Sequence, residues 1–161
     1  MIADRIRQFR EAGIQPCDAD FDLGRARLAP PLFDLFAAQH PRDVVHSANT
    51  ARWLLDRGHD DPDLITAALL HDIGKGHQRP GDRSIYVLAA HIGLAGALAG
   101  SSSRFELRRA VARTLTHSES GAARLRDAGA AARVVALTAG HHGPAGDDRM
   151  LALLQQADAA S

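Results

Sequence analysis

An all-helical domain is the fold class this sequence predicts, on three observations. Of its 161 residues 45% are apolar but only 4% aromatic, and alanine and leucine dominate the apolar set. Those residues favour helices, whereas a β-rich core would draw on Val, Ile, Tyr and Phe. The apolar positions also recur at helical spacing between breaks at Gly, Pro and Asp. A chain of this length forms one domain by default, with enough apolar material to bury a core.

Taken in order, Ile2 to Ala12 is an amphipathic piece that ends at Gly13, followed by a loop containing Pro16. Residues 1–27 therefore read as an N-terminal helical extension and loop, ahead of a main domain over 28–161. Leu28 to Ala38 is a short helical candidate entered through Pro30-Pro31. Pro41 suits the first turn of a helix that runs through Val44, Val45, Ala48, Ala51, Leu54 and Leu55 and stops at Gly58. Asp61-Pro62-Asp63 supplies an N-cap, a first-turn proline and an acidic first turn for a helix from Asp63 to about Ile73. Lys75 to Ser84 is a polar loop, Ile85 to Gly100 an apolar helix, and Arg104 to Thr116 a basic amphipathic helix. Ser118-Glu119 starts a helix that stops at Gly129, Ala130 to His142 continues to the Gly143-Pro144 break, and Asp147 or Asp148 caps a last helix, Arg149 to Ala160.

Bulk properties exclude several classes. Lys plus Arg equals Asp plus Glu at 19 each, so net charge draws the chain neither to nucleic acid nor to an anionic membrane. Cys17 is the only cysteine, which rules out an internal disulfide framework and fits a reducing cytosol. The Met1-Ile2-Ala3-Asp4-Arg5 start turns charged too soon for a signal peptide, and the longest apolar run is too short to span a bilayer. A cytoplasmic protein with a small ligand is expected, with a homodimer as a candidate assembly.

Nine histidines remain to be explained. The core helix Leu-Ile-Thr-Ala-Ala-Leu-Leu, residues 64–70, ends by delivering His71 and Asp72 side by side. Polar groups at the end of a buried element are costly unless paired or bound to metal. Imidazole and carboxylate donors without thiolate suit Zn, Fe, Mn, Co or Ni. His46 lies on the preceding helix, and an antiparallel return after the Gly58 to Pro62 connection brings it to the end of the next helix, where it can meet His71. His141 and His142 differ by about 100° on a regular helix, so one can ligate while the other meets substrate, unless the helix end relaxes and both reach metal. Asp158 has an ordinary solvated reading beside a ligand reading. Lys75 is the only lysine among the 19 basic residues and falls three positions after Asp72, where a point charge can serve Asp72 or a substrate phosphate. Arg42, Arg79 and Arg83 are weaker phosphate candidates, and His40, His59, His77 and His91 read as structural or solvent-facing.

The order His46, His71-Asp72, Asp158, with Ala-Ala-Leu-Leu-His-Asp-Ile-Gly-Lys at 67–75 and Leu-Leu-Gln-Gln-Ala-Asp at 153–158, closely resembles the HD-domain phosphohydrolase superfamily over residues about 28–161. The resemblance implies a compact helical bundle in which His46, His71, Asp72 and Asp158 hold a divalent metal. His117-Ser-Glu-Ser-Gly and Gly140-His141-His142-Gly143 are similar to the pattern of two-metal members. That implies a second ion, ligated by His117, His141 and His142, with Asp72 as the bridge; Mg is a further candidate metal.

Cyclic-dinucleotide phosphodiesterases of that group carry Asp-Gly-x-Gly-Tyr-Pro after their His-His pair, where this chain has Gly-Pro-Ala-Gly-Asp-Asp at 143–148. Guanosine tetraphosphate hydrolases carry His-Asp-x-x-Glu-Asp, where this chain has Lys75 and Gly76. The expected activity is hydrolysis of a phosphomonoester, phosphodiester or phosphoanhydride of a nucleotide or other small metabolite. Asp72 is then the bridging carboxylate, Lys75 a phosphate or Asp72 partner, and His142 a proton shuttle. The rival expectations are an HD-type di-iron oxygenase and a non-catalytic metal-binding domain that senses or scaffolds.

Overall fold

Proline and aspartate set where the helices begin. The computed structural model describes residues 15–75 and 118–161, and among them are seven helices and no strand. They are α1 (Asp18–Arg27), α2 (Pro30–Ala37), α3 (Pro41–Leu55), α4 (Pro62–Leu70), α5 (118–127), α6 (Ala132–Gly140) and α7 (Arg149–Ala160).

Helices α2, α3 and α4 each carry proline in the first turn, where its fixed φ suits the helix and its missing N–H is not needed. Asp61 caps α4 by accepting from the backbone N–H groups of Asp63 and Leu64 at 3.0 and 3.1 Å. Asp148 caps α7 through Leu151 N at 3.1 Å. Helix α3 closes on Gly58 at φ 79°, with His59 N donating to Leu54 O and Gly58 N to Leu55 O, both at 3.0 Å. This pair of bonds needs a left-handed residue, hence the glycine. Gly129 closes α5 in the same way at φ 77°.

Helix α4 is the axis of the fold. Every residue from Leu64 to Leu70 is buried, as expected of a helix that is apolar all round. Helices α3, α6 and α7 pack directly on it, and α1 and α2 close another side. Phe36, Leu54, Leu69, Leu125, Leu137 and Leu154 fill the core between them. The short α3–α4 connection reverses the chain, so the start of α3 lies beside the end of α4.

Three boundaries differ from the sequence expectation. The loop expected around Pro16 gives way to helix within the described residues, and residues 18–27 form α1. It is held locally and from a distance: Asp20, 3% exposed, accepts from Cys17 N at 2.8 Å and pairs with Arg52 of α3 at 2.7 Å. Phe21 meets Phe36 edge-on with ring centroids 6.4 Å apart. Helix α4 stops at Leu70 rather than near Ile73, so His71 and Asp72 stand in the turn that follows it. Helix α6 spans Ala132–Gly140 rather than 130–142, which leaves His141 and His142 just beyond its end.

The helices expected at 2–12, 85–100 and 104–116 lie outside the described residues, as do the loop at 76–84, His77, Arg79, Arg83, His91 and His117. No described helix is long and apolar enough to cross a membrane.

Candidate metal centre

Four helices deliver the site. The turn after α4 contributes His71 and Asp72, α3 contributes His46, the turn after α6 contributes His141, and α7 contributes Asp158. The antiparallel α3–α4 pair brings the rings of His46 and His71 to 5.4 Å between centroids, as the short connection predicts. His46 Nε2 lies 2.8 Å from Asp158 Oδ1 and 3.8 Å from Asp72 Oδ2. His71 Nε2 lies 3.4 Å from each of those same two oxygens. One ligand atom each from His46, His71 and Asp72 falls within a sphere of 4.8 Å mutual separation, and Asp158 closes the same gap.

The fit of a cation rests on His71. Its side chain is fully buried and its Nδ1–H donates to Ala68 O at 2.9 Å, so in the neutral ring Nε2 is the nitrogen that carries the lone pair. That Nε2 is buried and faces two carboxylate oxygens at 3.4 Å. A ring nitrogen fixed by a backbone carbonyl on its far side is the usual preparation of a metal-ligating histidine. His141 is built alike: it is 2% exposed, Nδ1–H donates to Thr138 O at 2.6 Å, and Nε2 stands 3.8 Å from Asp72 Oδ1. The two Asp72 oxygens thus face different imidazoles, as a bridging carboxylate would.

Electrostatics agree with this geometry. Burial pushes the Asp72 carboxyl up, but the charges of His71, Lys75 and His46 outweigh it and hold the group well below the ordinary carboxylate range. Asp158 behaves the same way: burial raises it, and the contacts with His46 and His71 bring it far lower. Burial pushes His71 down, yet Asp72 and Asp158 lift it above the ordinary histidine value. A cation arriving at Nε2 therefore competes with a proton. Burial and the neighbouring His71 charge depress His141 to about 3, so it stays neutral and ready to ligate.

The family model for the HD domain matches residues 38–161. The chain belongs to the HD domain family. Searches among curated proteins and among solved structures return no match. Membership places this HD domain in the superfamily of metal-dependent phosphohydrolases, and the cluster above lies within the matched span.

Of the seven metal-ligand candidates, the HD domain brings His46, His71, Asp72, His141 and Asp158 together. His142 is exposed and stacks on His141, with ring centroids 3.9 Å apart, so the pair divides into an inward and an outward ring. His117 lies outside the described residues. Lys75 forms a close ion pair with Asp72 Oδ2, one of the two roles its position suggested. His40 caps α3 by accepting from Arg42 N at 3.4 Å, a structural role as expected.

A cleft of about 240 Å³ opens beside Asp72, lined by Leu35, Ala38, Gln39, His40, Asp43, Asp72, Ile73 and Arg124. Asp43 and Arg124 were not singled out in the sequence. Asp43 lies three residues before His46 on α3, one turn away on the same side, and its carboxyl is pushed up by burial and by Asp72. Arg124 falls seven residues after His117 in the sequence. Those spacings were the available signal.

Proposed function

We propose that this HD domain is a metal-dependent phosphohydrolase that cleaves a phosphomonoester, phosphodiester or phosphoanhydride of a nucleotide or other small metabolite by attack of an activated water. The observation that carries this reading is the buried His71 Nε2 facing two ionised carboxylates at 3.4 Å, with His46 across the gap. His46, His71, Asp72 and Asp158 would hold a divalent cation, and their nitrogen and oxygen donors suit Mn, Fe, Co, Ni or Zn and admit Mg. When bound, the ion supplies Lewis-acid charge and lowers the pKa of its water from about 15.7 towards roughly 7.

The chain's own residues supply the rest. Asp72 stays ionised and turns one oxygen towards His46 and His71 and the other towards His141, which supports a role in bridging two cations. His141, with His117 by resemblance, would serve the second. The Ala68 and Thr138 carbonyls fix the two imidazoles, so no reorganisation is needed as charge develops. The Lys75 ammonium sits on Asp72, within reach of a phosphoryl oxygen brought to the same carboxylate. His142 lies on the solvent side with its pKa lowered by partial desolvation against the site, so it rests neutral and can take a proton from water and pass it to the leaving oxygen. The small cleft beside Asp72 and a net charge of zero both favour a small substrate over nucleic acid.

The test is metal analysis of protein purified without a chelating column, followed by a phosphatase and phosphodiesterase panel with Mn, Co, Ni and Fe. Metal-stimulated phosphate release that His71→Ala abolishes supports the reading. A metal-loaded protein inert across the panel overturns it.

A further inference from the structure

Helix α4 ends at Leu70, so the carbonyls of the following turn have no helical partner and must be satisfied from elsewhere. Helix α5 supplies two of them. Arg124 Nη1 donates to Ile73 O at 2.6 Å, and Ser120 Oγ donates to Gly74 O at 3.4 Å. Between these two contacts Gly121 lies against the turn so closely that a Cβ there would stand 3.2 Å from Gly74 N and 3.5 Å from Ile73 Cγ1. The turn gripped in this way carries Asp72 on one side of Ile73 and Lys75 on the other. Arg124 also stands in the wall of the cleft that holds Asp72.

We infer that Arg124 is a positioning residue for the metal centre. By holding Ile73 O, one residue beyond Asp72, it sets where the Asp72 carboxylate and the Lys75 ammonium stand relative to His46 and Asp158. The physical case is direct. Asp72 is 2% exposed and its side chain is short, so its oxygens follow its backbone, and the bond that holds that backbone is a short, charge-assisted one. A guanidinium suits the task because its planar fork keeps further donors after one arm is committed. Gly121 has a matching explanation: a side chain here would crowd the Gly74 backbone at 3.2 Å, and glycine lets α5 come this close without that push.

The inference rests on the reading that the site binds a divalent cation, and the experiment separates the two. Mn²⁺ alone is titrated calorimetrically into wild type, Arg124→Ala, Arg124→Lys and Gly121→Ala, with thermal melting of each metal-free protein alongside. Wild type is expected to bind, and Arg124→Ala to bind about 10-fold more weakly, the low end of the effect of losing an outer partner of a ligand, because Arg124 holds the carbonyl next to Asp72 rather than Asp72 itself. Millimolar guanidinium chloride restores part of that loss, and Arg124→Lys falls between the two. Gly121→Ala removes no hydrogen bond but pushes on Gly74, so it weakens Mn²⁺ binding by more than its metal-free melting temperature accounts for. Should Arg124→Ala fail to fold, Arg124→Lys and Gly121→Ala carry the test. Wild-type Mn²⁺ affinity in the Arg124 and Gly121 variants, with any change confined to melting, overturns the inference and makes Arg124 a structural tie. A wild type that takes up no Mn²⁺ overturns the metal reading and this inference with it.

Discussion

Replacing Asp158 by asparagine separates the ligand reading of this residue from the solvated reading its sequence context allows. The change keeps the shape and removes the charge. Asp158 Oδ1 stands 2.8 Å from His46 Nε2 and 3.4 Å from His71 Nε2, and its side chain is 26% exposed. A hydrogen bond to a charged group contributes about 1.5–3 kcal/mol, and partial exposure reduces this to about 1–2 kcal/mol for the metal-free protein. The larger effect is on metal. Loss of an outer partner weakens a site up to about 100-fold, so loss of a direct ligand should weaken it by at least about that factor. With metal at 100 times the wild-type Kd, wild type gains about 2.7 kcal/mol of stability, and a variant bound 100-fold more weakly gains only about 0.4 kcal/mol. At about 2–4 °C per kcal/mol for a chain of this size, metal raises the wild-type Tm by roughly 5–11 °C and that of Asp158→Asn by roughly 1–2 °C. Circular-dichroism melts with and without Mn²⁺ read this directly. An Asp158→Asn protein that keeps the full wild-type shift would refute the assignment of Asp158 to the centre.

Other expectations follow from single contacts. Lys75→Gln removes the ammonium that occupies Asp72 Oδ2, so Mn²⁺ affinity measured by calorimetry should hold or rise while metal-stimulated phosphate release falls at least about tenfold. Unchanged turnover would remove Lys75 from the machinery. Gly24→Ala places a Cβ 2.8 Å from Phe36 Cδ1, and overpacking of this kind costs about 1–3 kcal/mol, to be read from the urea midpoint; no loss would mean that α1 does not dock as described. Asp148 is held at about 2 by Arg133, which grips both its oxygens at 2.8 and 2.5 Å. Its folded pKa lies below the unfolded value, so this stabilisation is present above about pH 4 and lost as pH falls through about 2. Asp148→Asn keeps the α7 cap but should flatten that part of a Tm-against-pH curve, and an unaltered acid limb would count against the pair.

Much of the architecture was legible because its determinants are local. The prolines at 30, 41 and 62, the Asp61 and Asp148 caps and the glycines at 58 and 129 act within a few residues of themselves, and the structure places helix ends at each. Helix α1 was not legible, because Asp20 pairs with Arg52 and Gly24 lies against Phe33 and Phe36, residues on other helices. The same division runs through the site. His71-Asp72 stood out in the sequence as a polar pair closing an apolar helix, and the reversal after Gly58 predicted that His46 would meet it.

The sequence by itself determined the helical class, the caps and the donor chemistry of imidazole and carboxylate without thiolate, since these depend on residue type and short spacing. Only the tertiary structure decided that Asp158 closes the gap between His46 and His71, that His141 faces inward while His142 faces out, and that Arg124 and Gly121 grip the turn bearing Asp72. Each of those depends on where a distant helix lies to within an ångström, and side-chain packing across the core settles that.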